Sequence, residues 1–139
     1  MSTPSSSAVS GFAFVKIMVA DVAAMERFYC DALGLIVRTR IAVDQPGYVI
    51  RETVLEVGDG RTLLNLVQHL DRPCPCPGEA VIGLAVADIE AVMKTCVDAG
   101  GHVRMPVTSV PEHRLKVAYV SDPEGHTLEL LQPTPSIPS

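Results

Sequence analysis

The chain has 139 residues, enough for one domain of ordinary size to bury most of the apolar surface that its unfolded form would expose. Hydrophobic residues make up 47% and charged ones 19%, with three Tyr, three Phe and no Trp, which excludes a disordered chain and predicts an aliphatic core. A formal charge of −5 with no local Lys/Arg cluster argues against nucleic acid, and no apolar run reaches the roughly 20 residues that cross a bilayer.

The start of the chain is Ser-rich, with neither a basic stretch nor an apolar run, so residues 1–11 read as a flexible tail and not as an export signal. A cytoplasmic protein with reduced thiols is therefore expected, its Cys30 and Cys96 on helical patterns. Residues 12–19 read as a strand. Ala13, Val15, Ile17 and Val19 form its uniformly apolar face, and Phe14, Lys16 and Met18 lie opposite. Asp21 is placed to cap a helix that carries Met25, Phe28, Tyr29 and Ala32 at helical spacing and stops at Gly34. Three further strands follow at 35–43, 48–57 and 63–68, divided by the turn signals Gln45-Pro46-Gly47 and Gly58-Asp59-Gly60.

The run Arg72-Pro73-Cys74-Pro75-Cys76-Pro77-Gly78 reads as a stiff linker; a metal clip at its two thiols would need a second ligand pair that is not nearby in sequence. Beyond it, residues 80–86 form a strand with Ile82, Leu84 and Val86 toward the core and Val81, Gly83 and Ala85 opposite. Asp88 caps a helix whose apolar stripe is Ile89, Val92, Met93, Cys96 and Val97, ending at Gly100-Gly101. Strands are expected at 103–107, 115–121 and 127–132. The turn Asp122-Pro123-Glu124-Gly125 feeds the last of them, where Leu128 and Leu130 point one way and Thr127, Glu129 and Leu131 the other. Glu129 is thus a carboxylate in mid-strand on a half-apolar face.

The two halves repeat one unit. Val19-Ala20-Asp21 recurs as Val86-Ala87-Asp88, and the same offset superposes Asp31 on Asp98 and Gly34 on Gly101. The stretch 60–68 matches 125–132 once one residue slips, which sets Asn65 where Glu129 stands. The expected fold is α+β: two βαβββ modules, at 12–70 and 79–134, joined by a linker at 71–78 and followed by a tail at 135–139. Two mixed sheets, each covered by a helix on one face, would form a curved trough lined by Phe14, Lys16, Met18, Asn65, Val81, Thr127 and Glu129.

Those residues resemble the vicinal oxygen chelate superfamily, which includes glyoxalase I, bleomycin resistance proteins and extradiol dioxygenases. The likeness rests on Val19-Ala20-Asp21 with Met25 to Tyr29 and Leu33-Gly34, on Val86-Ala87-Asp88 through Gly101, and on Asp122-Pro123-Glu124-Gly125-His126-Thr127-Leu128-Glu129-Leu130. It implies a glyoxalase-like fold over residues 12–132 and a homodimer. It also implies a divalent metal held from the first and last strands of each module, positions that fall here on Phe14, Asn65, Val81 and Glu129. Phe and Val cannot ligate and an Asn amide is a poor transition-metal ligand, so no cofactor and no metal ligands are expected.

Of the remaining polar residues, His113 in the loop 111–114 is either a ligand or base at the trough mouth or a solvated loop residue. Glu129 is either a base or acceptor for ligand, its pKa raised by an apolar setting, or a leftover acid neutralised by Lys16 or water. Lys16 meets an anionic ligand group, pairs with Glu129, or reaches to the trough mouth.

The functional expectation is a cytoplasmic homodimer that binds a small organic molecule, with Phe14, Lys16, Met18, Asn65, Val81, Glu129 and His113 as candidate contacts. The alternative is an enzyme: a lyase or isomerase with Glu129 as catalytic base, or a metal enzyme such as a dioxygenase with ligands moved to His113 and Glu129. A third reading has the trough packed shut by Phe14, Met18 and Leu131.

Overall fold

A computed structural model describes residues 7–135. The tails expected at 1–11 and 135–139 therefore lie largely outside the described residues. The elements follow the expected order: β1 (Val15–Met18), α1 (Val22–Leu33), β2 (Ile36–Gln45), β3 (Tyr48–Val57), β4 (Thr62–His69), β5 (Val81–Ala85), α2 (Ile89–Asp98), β6 (His102–Val110), β7 (Leu115–Ser121) and β8 (Thr127–Pro133). A single 3-10 turn, Pro111–His113, joins β6 to β7.

Both helices start as their sequences require. Asp21 accepts from the Ala24 amide at 3.0 Å and Asp88 from the Ala91 amide at 3.2 Å, each satisfying a first-turn donor. A second cap repeats with the modules: the Gln68 side chain accepts from Val22 N at 3.0 Å, and Gln132 from Ile89 N at 2.8 Å. Each glutamine is the penultimate residue of the last strand of its own module and ties that strand to its helix. The α1 stop is Gly34 in the left-handed region at φ 69°. The second module stops differently, because a Cβ on Gly101 would lie 2.7 Å from the Ser121 carbonyl and 2.8 Å from that of Cys96. That glycine is required by a close backbone approach.

Each module forms one four-stranded mixed sheet, in the orders β1-β4-β3-β2 and β5-β8-β7-β6. The first and last strands of a module pair in parallel, with Lys16 opposite Asn65 and Gly83 opposite Glu129. The helices pack against each other, and one core spans both modules through Ile17, Phe28, Leu55 and Leu66 on one side and Ile89, Cys96, Val120 and Leu128 on the other. Among the described residues the β1 and β5 edges carry no ladder partner.

Two strand boundaries are corrected. Only Val15–Met18 of the 12–19 stretch pairs in the sheet, and Phe12 is 91% exposed; β6 extends on both sides of 103–107, with register shifts between Val103 and Thr108. All four cysteines are free thiols, and burial pushes that of Cys96 up to about 11.

Candidate functional site

Strand parity sends Glu129 where the sequence predicts. Leu128 and Leu130 are fully buried against α2, whereas Thr127, Glu129 and Leu131 are half-buried on the opposite, open face. The partner of Glu129 is Tyr119, directly across the β7–β8 ladder, whose phenol donates to the carboxylate at 2.7 Å. That hydrogen bond and the negative charge behind it raise the phenol's pKa. Gly83 stands on the other side of Glu129, and a Cβ there would meet nothing within 4 Å. One flank of the acid is therefore an aromatic hydroxyl and the other is open space.

The first module arranges the same face differently. Lys16 donates to Glu52 at 3.2 Å and the Asn65 side-chain amide donates to the other oxygen of Glu52 at 2.8 Å. Glu52 is 4% exposed and Asn65 5%. Ile50, Val54 and Val67 share this face and are also buried, so the middle of the first sheet is covered on both sides. The pairing of Lys16 with Glu129, one of the three readings of that lysine, gives way to the pairing with Glu52. Among the described residues no hydrogen bond or ion pair joins the two groups.

The other expected contacts are spread out. Phe14 is 46% exposed and its ring lies 5.4 Å from the Lys16 ammonium, a cation–π contact. Lys16 and Met18 line a cavity of about 300 Å³ with Thr127, His126 and the linker residues from Pro75 to Gly78. Val81 lies instead on an apolar groove of about 700 Å³ between β5 and the Val15–Leu64 side of the first sheet. His113 is exposed on the 3-10 turn that precedes β7, six residues before Tyr119 along the chain. Phe14 and Met18 stay at least 40% exposed, so they do not plug the face as the third reading required.

Among the described residues no group of three His, Cys, Asp or Glu side chains is placed to hold a metal ion. Of the four positions implied by the resemblance, Glu129 alone offers a strong donor, and the Asn65 amide is turned to Glu52. The residues present do not fit a tightly held transition metal.

Two site residues escaped the sequence reading. Glu52 carries the same signal as Glu129, an acid between Ile50 and Val54 at a spacing of two within a strand, and that alternation could have found it. Tyr119 sits on the open face of β7, but only the β7–β8 register reveals that it opposes Glu129. The same register uncovers a buried group at the β7–β8 turn. Asp122, with no exposure, accepts from the Tyr29 phenol at 2.8 Å and contacts the His126 ring at 2.8 Å. Burial acts to raise the Asp122 pKa, but the bonds from His126 and Tyr29 outweigh it and hold the carboxyl below its ordinary value.

No helix among the described residues is long and apolar enough to cross a membrane. The model of the Glyoxalase/Bleomycin resistance protein/Dioxygenase superfamily matches residues 11–130. A probable lactoylglutathione lyase from Synechocystis is 31% identical over 123 residues, covering 84% of this chain and 90% of that protein. Among solved structures, a glyoxalase family protein from Bacillus cereus superposes with a TM-score of 0.82 at 16% identity, covering 96% of this chain and all of that one. A glyoxylase/bleomycin resistance protein/dioxygenase domain from Frankia gives 0.76 at 17% identity, covering 94% and 96%. With its two βαβββ modules and a family match over most of its length, this chain belongs to the Glyoxalase/Bleomycin resistance protein/Dioxygenase superfamily.

Proposed function

We propose that this protein binds a small organic molecule in a mostly apolar pocket that needs no resident transition metal, as a cytoplasmic homodimer of the binding branch that bleomycin resistance proteins represent. The observation that carries this reading is the donor set: one carboxylate, Glu129, on an open sheet face whose module-one counterpart, Asn65, is spent on Glu52. The ligand lies over Thr127, Glu129 and Leu131 and against Phe14, Lys16 and Met18. Its apolar or planar body enters the cavity lined by Lys16, Met18 and Thr127 and extends past Phe14, and a donor group reaches beyond that lining to the Glu129 oxygen that Tyr119 leaves free. The unpaired β1 and β5 edges, with Val15 and Val81 at 41% and 53% exposure beside an apolar groove, are the surfaces that a second copy covers.

An enzymatic reading has one specific support. Glu129 is half-buried, anchored on one oxygen and open on the side of Gly83, which is the geometry of a positioned base for a lyase or isomerase. Native mass spectrometry of protein purified without chelator separates the readings. A dimer carrying less than stoichiometric metal, together with a co-purifying organic ligand lost in Glu129→Gln, is expected. One tightly held zinc, nickel or iron per subunit, or a monomer, would overturn the corresponding part of the proposal. Cleavage of lactoylglutathione by metal-stripped protein, abolished in Glu129→Gln, would instead establish the base.

A further inference from the structure

The imidazole of His126 stands between two acceptors. Its Nδ1 is 2.8 Å from a carboxylate oxygen of Asp122, and its Nε2 is 2.9 Å from the main-chain carbonyl of Met18, 108 residues away in sequence. The Met18 carbonyl can only accept. The Asp122 oxygen already accepts from the Tyr29 phenol, and the other oxygen takes the amides of Glu124 and His126. Neutral imidazole carries one N–H, so either tautomer would aim a lone pair at an oxygen lone pair in a site that is nine-tenths closed to water. With Asp122 ionised, as its three other donors favour, only the doubly protonated ring satisfies both neighbours.

We propose that His126 is an imidazolium in the folded protein at neutral pH and acts as a proton-dependent clasp between the two modules. One end of the clasp is the β7–β8 turn of module two, and the other is the end of β1 in module one. Glu124, on the same turn, reinforces it by accepting from the amides of Ala20 and Asp21 at 2.7 and 2.9 Å. The titratable groups on the elements packed around the ring are Asp122 and Glu124 on its own turn, Tyr29 on α1, Lys16 on β1, Cys76 on the linker and Glu79 just after it. Burial works against the charge on the ring, but the Asp122 carboxylate and the Met18 carbonyl outweigh it and move the titration above the ordinary 6.5.

The sign of the linkage follows from that direction. The folded state holds its proton more tightly than the unfolded chain, so the clasp contributes fully below about pH 6.5 and is lost as pH rises through the folded value. Between the two values the ratio of folded to unfolded chain falls up to about tenfold per pH unit from this group. Because His126 and Met18 both line the 300 Å³ cavity beside Lys16, release of the clasp frees one wall of that cavity.

The test is nitrogen-15 NMR of the His126 imidazole in the full chain through a pH titration, with a short unstructured histidine peptide in the same sample as reference. A doubly protonated pattern for His126 that persists after the peptide has become neutral is expected, with amide protection at Ala20, Asp21 and His126, corrected for base catalysis, falling as His126 finally titrates. A neutral pattern at the pH where the peptide is neutral, or protection that ignores the titration, would overturn the proposal. His126→Gln, which cannot titrate, should flatten the loss of stability above pH 6.5. If that variant does not fold, the wild-type spectra alone decide.

Discussion

Removing the Lys16 side chain's charge with Lys16→Met tests whether the buried acid of the first module depends on its cation. Glu52 is 4% exposed and is held at one oxygen by Lys16, 3.2 Å away, and at the other by Asn65, 2.8 Å away. Breaking a fully buried ion pair costs about 3–5 kcal/mol, most of it the stranded charge. Here the lysine is 32% exposed, so water can reach the oxygen it vacates, and Asn65 keeps the other; the expected loss falls to about 2 kcal/mol. In a domain of this size that lowers Tm by roughly 8 °C. Glu52→Gln alone should cost less, about 1 kcal/mol, because the lysine left behind can turn to solvent. The double variant should be more stable than Lys16→Met, giving a coupling of about 1–2 kcal/mol in urea unfolding at neutral pH with unchanged m-values. Additive effects, with coupling under about 0.3 kcal/mol, would refute a stranded charge as the cause.

Other expectations concern separate parts of the molecule. Gly101→Ala should destabilise by about 1–3 kcal/mol in urea, since its Cβ would press on two carbonyl oxygens, whereas Gly83→Ala, facing open space, should stay within about 0.5 kcal/mol of wild type. Leu130→Ala, in the shared core, should cost about 2–5 kcal/mol in the same assay. The Tyr119 phenol, its pKa raised by the hydrogen bond to Glu129, should ionise in an alkaline absorbance titration only after an ordinary tyrosine. Its bond to Glu129 persists below the unfolded tyrosine value of about 10 and is lost as pH rises through the folded value; Glu129→Gln should bring the ionisation down, and Tyr119→Phe identifies the signal. Glu26 is held below its ordinary value, first by the Arg40 guanidinium that bridges it at 2.9 Å through two nitrogens. Its contribution is present above the unfolded carboxylate value and fades as pH falls through the folded one, so carbon-13 titration of Glu26 should move upward in Arg40→Met.

The residues themselves determined the module plan and the faces. Helix starts at Asp21 and Asp88, the stop at Gly34 and the orientation of Glu129 away from Leu128 and Leu130 are local matters of cap chemistry and a two-residue period, and each is legible within a few positions. The repeat even marked Gln68 and Gln132 as equivalents, although only the structure shows them capping their own helices. What the tertiary structure decided was partnership. Lys16 found Glu52 and left Glu129 to Tyr119; the first sheet's second face was covered; and His126 reached across 108 residues to a carbonyl that no side-chain pattern records. The physical reason is that a strand's alternation assigns a side chain to a face, while cross-strand register and the packing of one module against the other choose which group it meets there.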